Sequence, residues 1–131
     1  MTGGVFTRGA SGTLLAAGAT VPLGETVHRF GCGVARNGDS VAVAGGARGR
    51  WYSVTGTVTL TPASSGVATL SVVSGGAAIA TSSASVATGS QLTLPVSCMA
   101  RAGCDAATLS LSLGGVAATV DAVDLVVTCV S

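Results

Sequence analysis

This 131-residue chain has no lysine and a single histidine, and charged residues make up only 8% of it. An average soluble domain is about a quarter charged. All six basic residues are arginines, at Arg8, Arg29, Arg36, Arg48, Arg50 and Arg101, and the formal net charge is +1. Nucleic-acid binding needs a dense basic face, and these arginines are scattered along the chain. Aromatics are scarce too, at 3%, so a 48% hydrophobic content is mostly Ala, Val and Leu. With so few charges, a monomer cannot cover its surface in the usual way. Two expectations follow: much of the exterior is neutral Ser, Thr and Gly, and part of it is buried against partners, as large apolar patches usually are.

Long apolar runs are also missing. A membrane-spanning helix needs about 20 consecutive apolar residues. The best stretch, Val116 to Val130, is interrupted by Thr119, Asp121, Asp124 and Thr128. Leu14 to Ala17 would be a poor core for a secretion signal, preceded only by Arg8. The four cysteines, Cys32, Cys98, Cys104 and Cys129, show no C-x2-C spacing, and His28 lies far from three of them. A structural zinc site needs four closely spaced ligands, so no metal is expected. Cys98 and Cys104 lie close enough in sequence to close a short disulfide loop, but buried reduced thiols are the preferred reading.

The usual signatures of chemistry are absent as well. Nucleophilic catalysis needs a nucleophile, a base and an orienting group, and His28 is the lone imidazole, flanked by Val27 and Arg29 in a predicted strand. No G-x-S-x-G elbow frames a serine. Asp121 and Asp124 differ in parity, so a regular strand would point them to opposite faces rather than across a sugar. Asp39 follows Asn37-Gly38 and reads as a turn residue. The glycines of Gly45 to Arg50 match neither the phosphate-binding nor the dinucleotide pattern. The expectation is a protein without catalytic residues, cofactor or metal, hence not an enzyme.

What the sequence does have is alternation. In Trp51 to Thr61, Tyr52, Val54, Gly56, Val58 and Leu60 share one face, and a serine-threonine ladder fills the other behind Trp51. Pro62 ends the run because it lacks an N–H for the ladder. Similar parity recurs at Leu92 to Cys98 and at Leu109 to Leu113. In the last stretch, Val120 to Val130, Val123, Leu125, Val127 and Cys129 line one face while Val126 and Val130 lie on the other. A strand apolar on both faces is usually covered on both. Turn signals punctuate these runs at Asn37-Gly38, Gly45-Gly46, Gly75-Gly76 and Gly114-Gly115. Residues 1–12 read as a flexible glycine-rich arm, and residues 13–131 as one β domain. Ala68 to Ser71 before Gly75-Gly76 echoes Ala107 to Ser110 before Gly114-Gly115, which reads as two similar hairpins.

The order of these features has a counterpart among known folds. Pro22 to Val27, Gly31 to Val34, the Asn37-Gly38 turn, the Gly49 to Val54 stretch with its Trp51-Tyr52 pair, Leu60-Thr61-Pro62, Leu92 to Val96 and the closing strand Val123 to Val130 follow one another. Over about residues 21–130 the chain resembles the jelly rolls of the tumour-necrosis-factor and complement-globular-head type. It looks closest to the versions that phages of Gram-positive bacteria use as head-decoration or fibre proteins. The resemblance implies an all-β, ten-stranded jelly-roll sandwich that forms a homotrimer about its inner sheet. It also implies a virion structural role: a capsid decoration (head fibre) module on the capsid exterior, made in the bacterial host cytoplasm. The implied partners are the chain itself and the major capsid protein or another virion protein, with no nucleic acid, no membrane and at most weak contact to a host surface. The alternative is the receptor- or glycan-binding head of a tail or surface fibre. On the trimer reading, Trp51, Met99, Val126 and Val130 are the expected axis contacts. Tyr52, Val54, Val58, Leu60, Leu109, Leu111 and Leu125 are the expected core.

Overall fold

The computed structural model describes residues 3–8, 13–23, 25–30 and 33–130; for residues 5–8, 13 and 25–30 only the backbone is described. The described residues form twelve strands. They are β1 (Gly3–Arg8), β2 (Thr13–Leu15), β3 (Ala19–Thr20), β4 (Glu25–Phe30), β5 (Val34–Asn37) and β6 (Ser40–Val43). They continue with β7 (Arg50–Pro62), β8 (Gly66–Ser74), β9 (Ala77–Val86), β10 (Leu92–Ala102), β11 (Ala107–Gly114) and β12 (Ala118–Cys129). One sheet runs β10-β7-β12-β1-β4, with β2 pairing onto β12; the other runs β5-β6-β11-β8-β9, with β3 pairing onto β11. Without the short β2 and β3, five strands remain on each path, so the expected ten-stranded sandwich is present.

Alternation builds the core. The inward residues of β7, from Tyr52 to Leu60, meet Leu109, Leu111 and Leu113 of β11 and Ala68, Leu70 and Val72 of β8, and all the large side chains among them are fully buried. The seven expected core residues are all at most 1% exposed. Tyr52 carries the one polar atom of that group. Its hydroxyl donates to the Ala44 carbonyl at 2.6 Å, which meets the need of a buried phenol for a partner.

Four local expectations need correction. The arm does not span residues 1–12 as expected, because Gly3–Arg8 form β1, hydrogen-bonded between β12 and β4. Two partner strands satisfy its backbone on both sides, and that overrides the low strand preference of Gly3 and Gly4. The two-residue hairpin loop is Gly38-Asp39 rather than Asn37-Gly38, because Asn37 pairs with Ser40. There the Asp39 carboxylate accepts from the Leu23 N–H at 3.3 Å, fastening the hairpin to the preceding segment. The echo at Ala107 to Gly115 is not a second hairpin. Gly75-Gly76 turns β8 back onto β9 in the same sheet, whereas the chain after Gly114 crosses from β11 to β12 in the other sheet.

The fourth correction concerns the acids. The register shifts between Val120 and Ala122, a bulge that adds a residue to β12. Asp121 and Asp124 therefore share the solvent face instead of pointing apart.

Candidate functional site

The solvent face of the β10-β7-β12 part of the first sheet divides along its length. At one end it is a hydroxyl and carboxylate surface. Thr59 and Thr93 hydroxyls bond each other at 2.9 Å, Thr61 donates to the Asp121 carboxylate at 2.6 Å, and the Gln91 amide donates to the same oxygen at 2.9 Å. These bonds favour the carboxylate, so the Asp121 carboxyl is held below its usual range, first by Gln91 and then by Thr61. A carboxyl held ionised in this way is unsuited to act as a general acid.

The sign of this shift sets a pH dependence. A lowered folded value means that the stabilising contribution is complete above the unfolded carboxyl value of about 4 and fades as pH falls through the lower folded value. Asp121→Ala is expected to lower stability by under about 1 kcal/mol at pH 7, since the site is close to solvent. Urea midpoints of the two proteins should converge as pH drops below about 4. A gap that persists unchanged into acid would rule out the charge as its origin.

The other end of the face is apolar. Met99 stands on β10 opposite Ser53, Val126 on β12 opposite Thr55, and Trp51 on β7 opposite Arg101. Just past β12, Val130 donates its backbone N–H to the Trp51 carbonyl at 2.9 Å. Strand parity turns all four side chains away from the core, where Trp51 is 44%, Met99 49%, Val126 36% and Val130 52% exposed. The structure thus gathers the four expected interface residues onto one end of one sheet face.

A second surface lies along one side of the sandwich. The edge strands β9 and β10 adjoin there, one from each sheet. β9 and the part of β10 before Arg101 belong to Trp51–Ala100, a stretch of 50 residues with no Asp, Glu, Lys, Arg or His. On β9, Ile79, Thr81, Ser83 and Ser85 are exposed. Natural edge strands are usually guarded by charge or proline, and β9 carries neither. Pro95, which has no N–H to leave unpaired, sits in β10, the outermost strand of its own sheet.

His28 lies in β4, its backbone opposite Val5, and its side chain is not described. Cys98, Cys104 and Cys129 are free thiols, and Cys32 lies outside the described residues. The expectation of buried thiols fails at Cys104, which is exposed because it sits in the loop after β10 rather than in a strand. Cys98 points inward from β10, and burial pushes its thiol up. Among the described residues, no three His, Cys, Asp or Glu side chains gather closely enough to hold a metal ion.

Comparison with known proteins matches at the level of fold. No protein-family profile matches the chain, and no curated protein matches it in sequence. Among solved structures, murine APRIL at pH 5.0 superposes with a TM-score of 0.71 at 13% identity, covering 96% of this chain and 98% of that one. The PRD1 vertex protein P5 superposes with a TM-score of 0.69 at 17% identity, covering 99% of this chain and 97% of that one. Pika GITRL superposes with a TM-score of 0.53 at 11% identity, covering 98% and 96%. The fold is a tumour-necrosis-factor-like jelly roll, shared over nearly the full length of each chain.

Proposed function

We propose that this protein is a non-enzymatic structural component of a bacteriophage virion, a homotrimer that decorates the capsid exterior. The observation that carries the proposal is the apolar end of the first sheet, where Trp51, Met99, Val126 and Val130 lie exposed together on a chain with very little charge. Closed threefold assembly is heterologous: a patch on one copy must meet a different patch on the next. The chain offers two unlike surfaces for this, the apolar end of the sheet face and the edge formed by β9 with the charge-free stretch Leu92–Ala100 of β10. Seating the edge of each copy on the face of its neighbour would bury both. Apolar area leaving water contributes about 25 cal/mol per Å².

The structural likeness to the PRD1 vertex protein P5 supports the virion setting. Gly3–Arg8 are a strand of the sheet, so deleting them would remove that strand. Two measurements test the proposal. Equilibrium sedimentation at micromolar concentration is expected to give three times the chain mass. Electron microscopy of purified particles is expected to place the protein on the outer shell. A monomer defeats the assembly reading; density at a fibre tip instead of the shell favours the receptor-binding alternative.

A further inference from the structure

Three of the four arginines with described side chains meet at one end of the sandwich, although they lie far apart in sequence. Arg48 and Arg50 bracket the turn that leads into β7, and Arg101 stands near the end of β10. The two loops there are locked together: the Gly46 N–H donates to the Gly103 carbonyl at 2.9 Å, and the Gly49 N–H closes the turn onto the Gly46 carbonyl at 2.9 Å. Arg101 donates to the Arg48 carbonyl at 3.4 Å, and its guanidinium packs against Gly49. A Cβ at Gly49 would come within 2.5 Å of that group, and Gly49 also has φ of +76°, so this seat requires glycine. Arg50 runs along Gly46 in the same turn.

Against these three positive charges the loops hold one acid, the exposed Asp105. The cluster has an excess of two positive charges on a molecule whose whole net charge is +1. Arg48, Arg50 and Arg101 are all exposed. Three cations held together without matching acids repel one another, which makes this end a place where an anion gains Coulomb energy.

We infer that the Arg48–Arg50–Arg101 end is a docking site for an acidic protein surface. Arginine forks pair bidentately with carboxylates, and a seated guanidinium loses less freedom on binding than a free one. Nucleic acid is the less fitting partner, because three arginines with one aromatic do not make the extended basic track it needs. All three arginines come from one copy, so the site needs no residue of a second copy.

The test uses the full chain and a fluorescein-labelled deca-glutamate peptide, followed by anisotropy at low and physiological salt. Binding is expected at low salt and should weaken as salt rises. Arg101→Gln and Arg48→Gln are each expected to weaken it by about tenfold, the scale of one well-placed charged contact. Arg36→Gln removes the same charge at the distant β5–β6 hairpin and is expected to change it less than about twofold. Thermal melts confirm that each variant folds; Arg48 is not held over Gly49, so its variant stays informative should Arg101→Gln unfold. Absence of binding at low salt, or equal weakening by all three variants, would overturn the inference. Tighter binding of a ten-nucleotide oligo-dT than of the peptide would overturn the choice of partner.

Discussion

In the proposed trimer, Val126→Asp is expected to block assembly and leave folded monomers. Val126 belongs to the exposed apolar end, on β12, with Thr55 across from it on β7. It is 36% exposed in the single chain, so a carboxylate there stays wet in a monomer and should leave the monomer's fold intact. In a trimer the same carboxylate would be shut into a dry contact without a partner, at a cost of about several kcal/mol per copy. Asp124 already stands two residues away on the same strand and face, so the new charge also meets a like charge. Sedimentation should show one chain mass for the variant and three for the parent, with matching far-ultraviolet dichroism. Val126→Ala, which keeps the face apolar, should still assemble. If Val126→Asp sediments with the parent, the apolar end is not the contact.

Leu111→Ala is expected to destabilise the fold by about 2–5 kcal/mol, the range for deleting a leucine from a packed core. Leu111 is fully buried at the centre of β11. It reaches across the sandwich to Gly56 of β7: a Cβ placed on Gly56 would stand 3.4 and 3.5 Å from its two methyls and 3.5 Å from a methyl of Leu125. The missing side chain at Gly56 is the space that Leu111 and Leu125 fill. Removing Leu111 therefore opens a cavity directly over a glycine, where little can collapse into it. Gly56→Ala added to Leu111→Ala should recover part of the loss, because the new methyl occupies that cavity. The two changes touch and should not be additive. Urea midpoints at one fixed protein concentration would show this, since assembly adds a concentration-dependent term. A Leu111→Ala protein with an unchanged midpoint would contradict the packing described.

Much of the fold was legible because a half-buried strand writes its two faces into alternate residues. Tyr52, Val54, Val58 and Leu60 on β7 and Leu109 and Leu111 on β11 were recognisable as core from parity alone. The apolar face was legible for the same reason, since Val126 and Val130 interrupt the polar side of the last strand. Parity fails wherever a strand departs from regular geometry. Nothing in Val120-Asp121-Ala122 announces the bulge, so the common face of Asp121 and Asp124 could not be read from spacing. Local preference fails where neighbours outweigh it, as at Gly3 and Gly4 in β1.

By itself, the sequence determined the β class, the inward and outward residues of the regular strands, and a surface poor in charge. These are local properties, because they depend on period two and on composition. Tertiary structure alone decided which distant residues meet. It brought Met99 and Val130 to the same end of one face, laid the uncharged β9 beside β10, and seated Arg101 on the turn between Arg48 and Arg50. Pairing order and loop packing are non-local, and no window along the chain contains both members of such contacts.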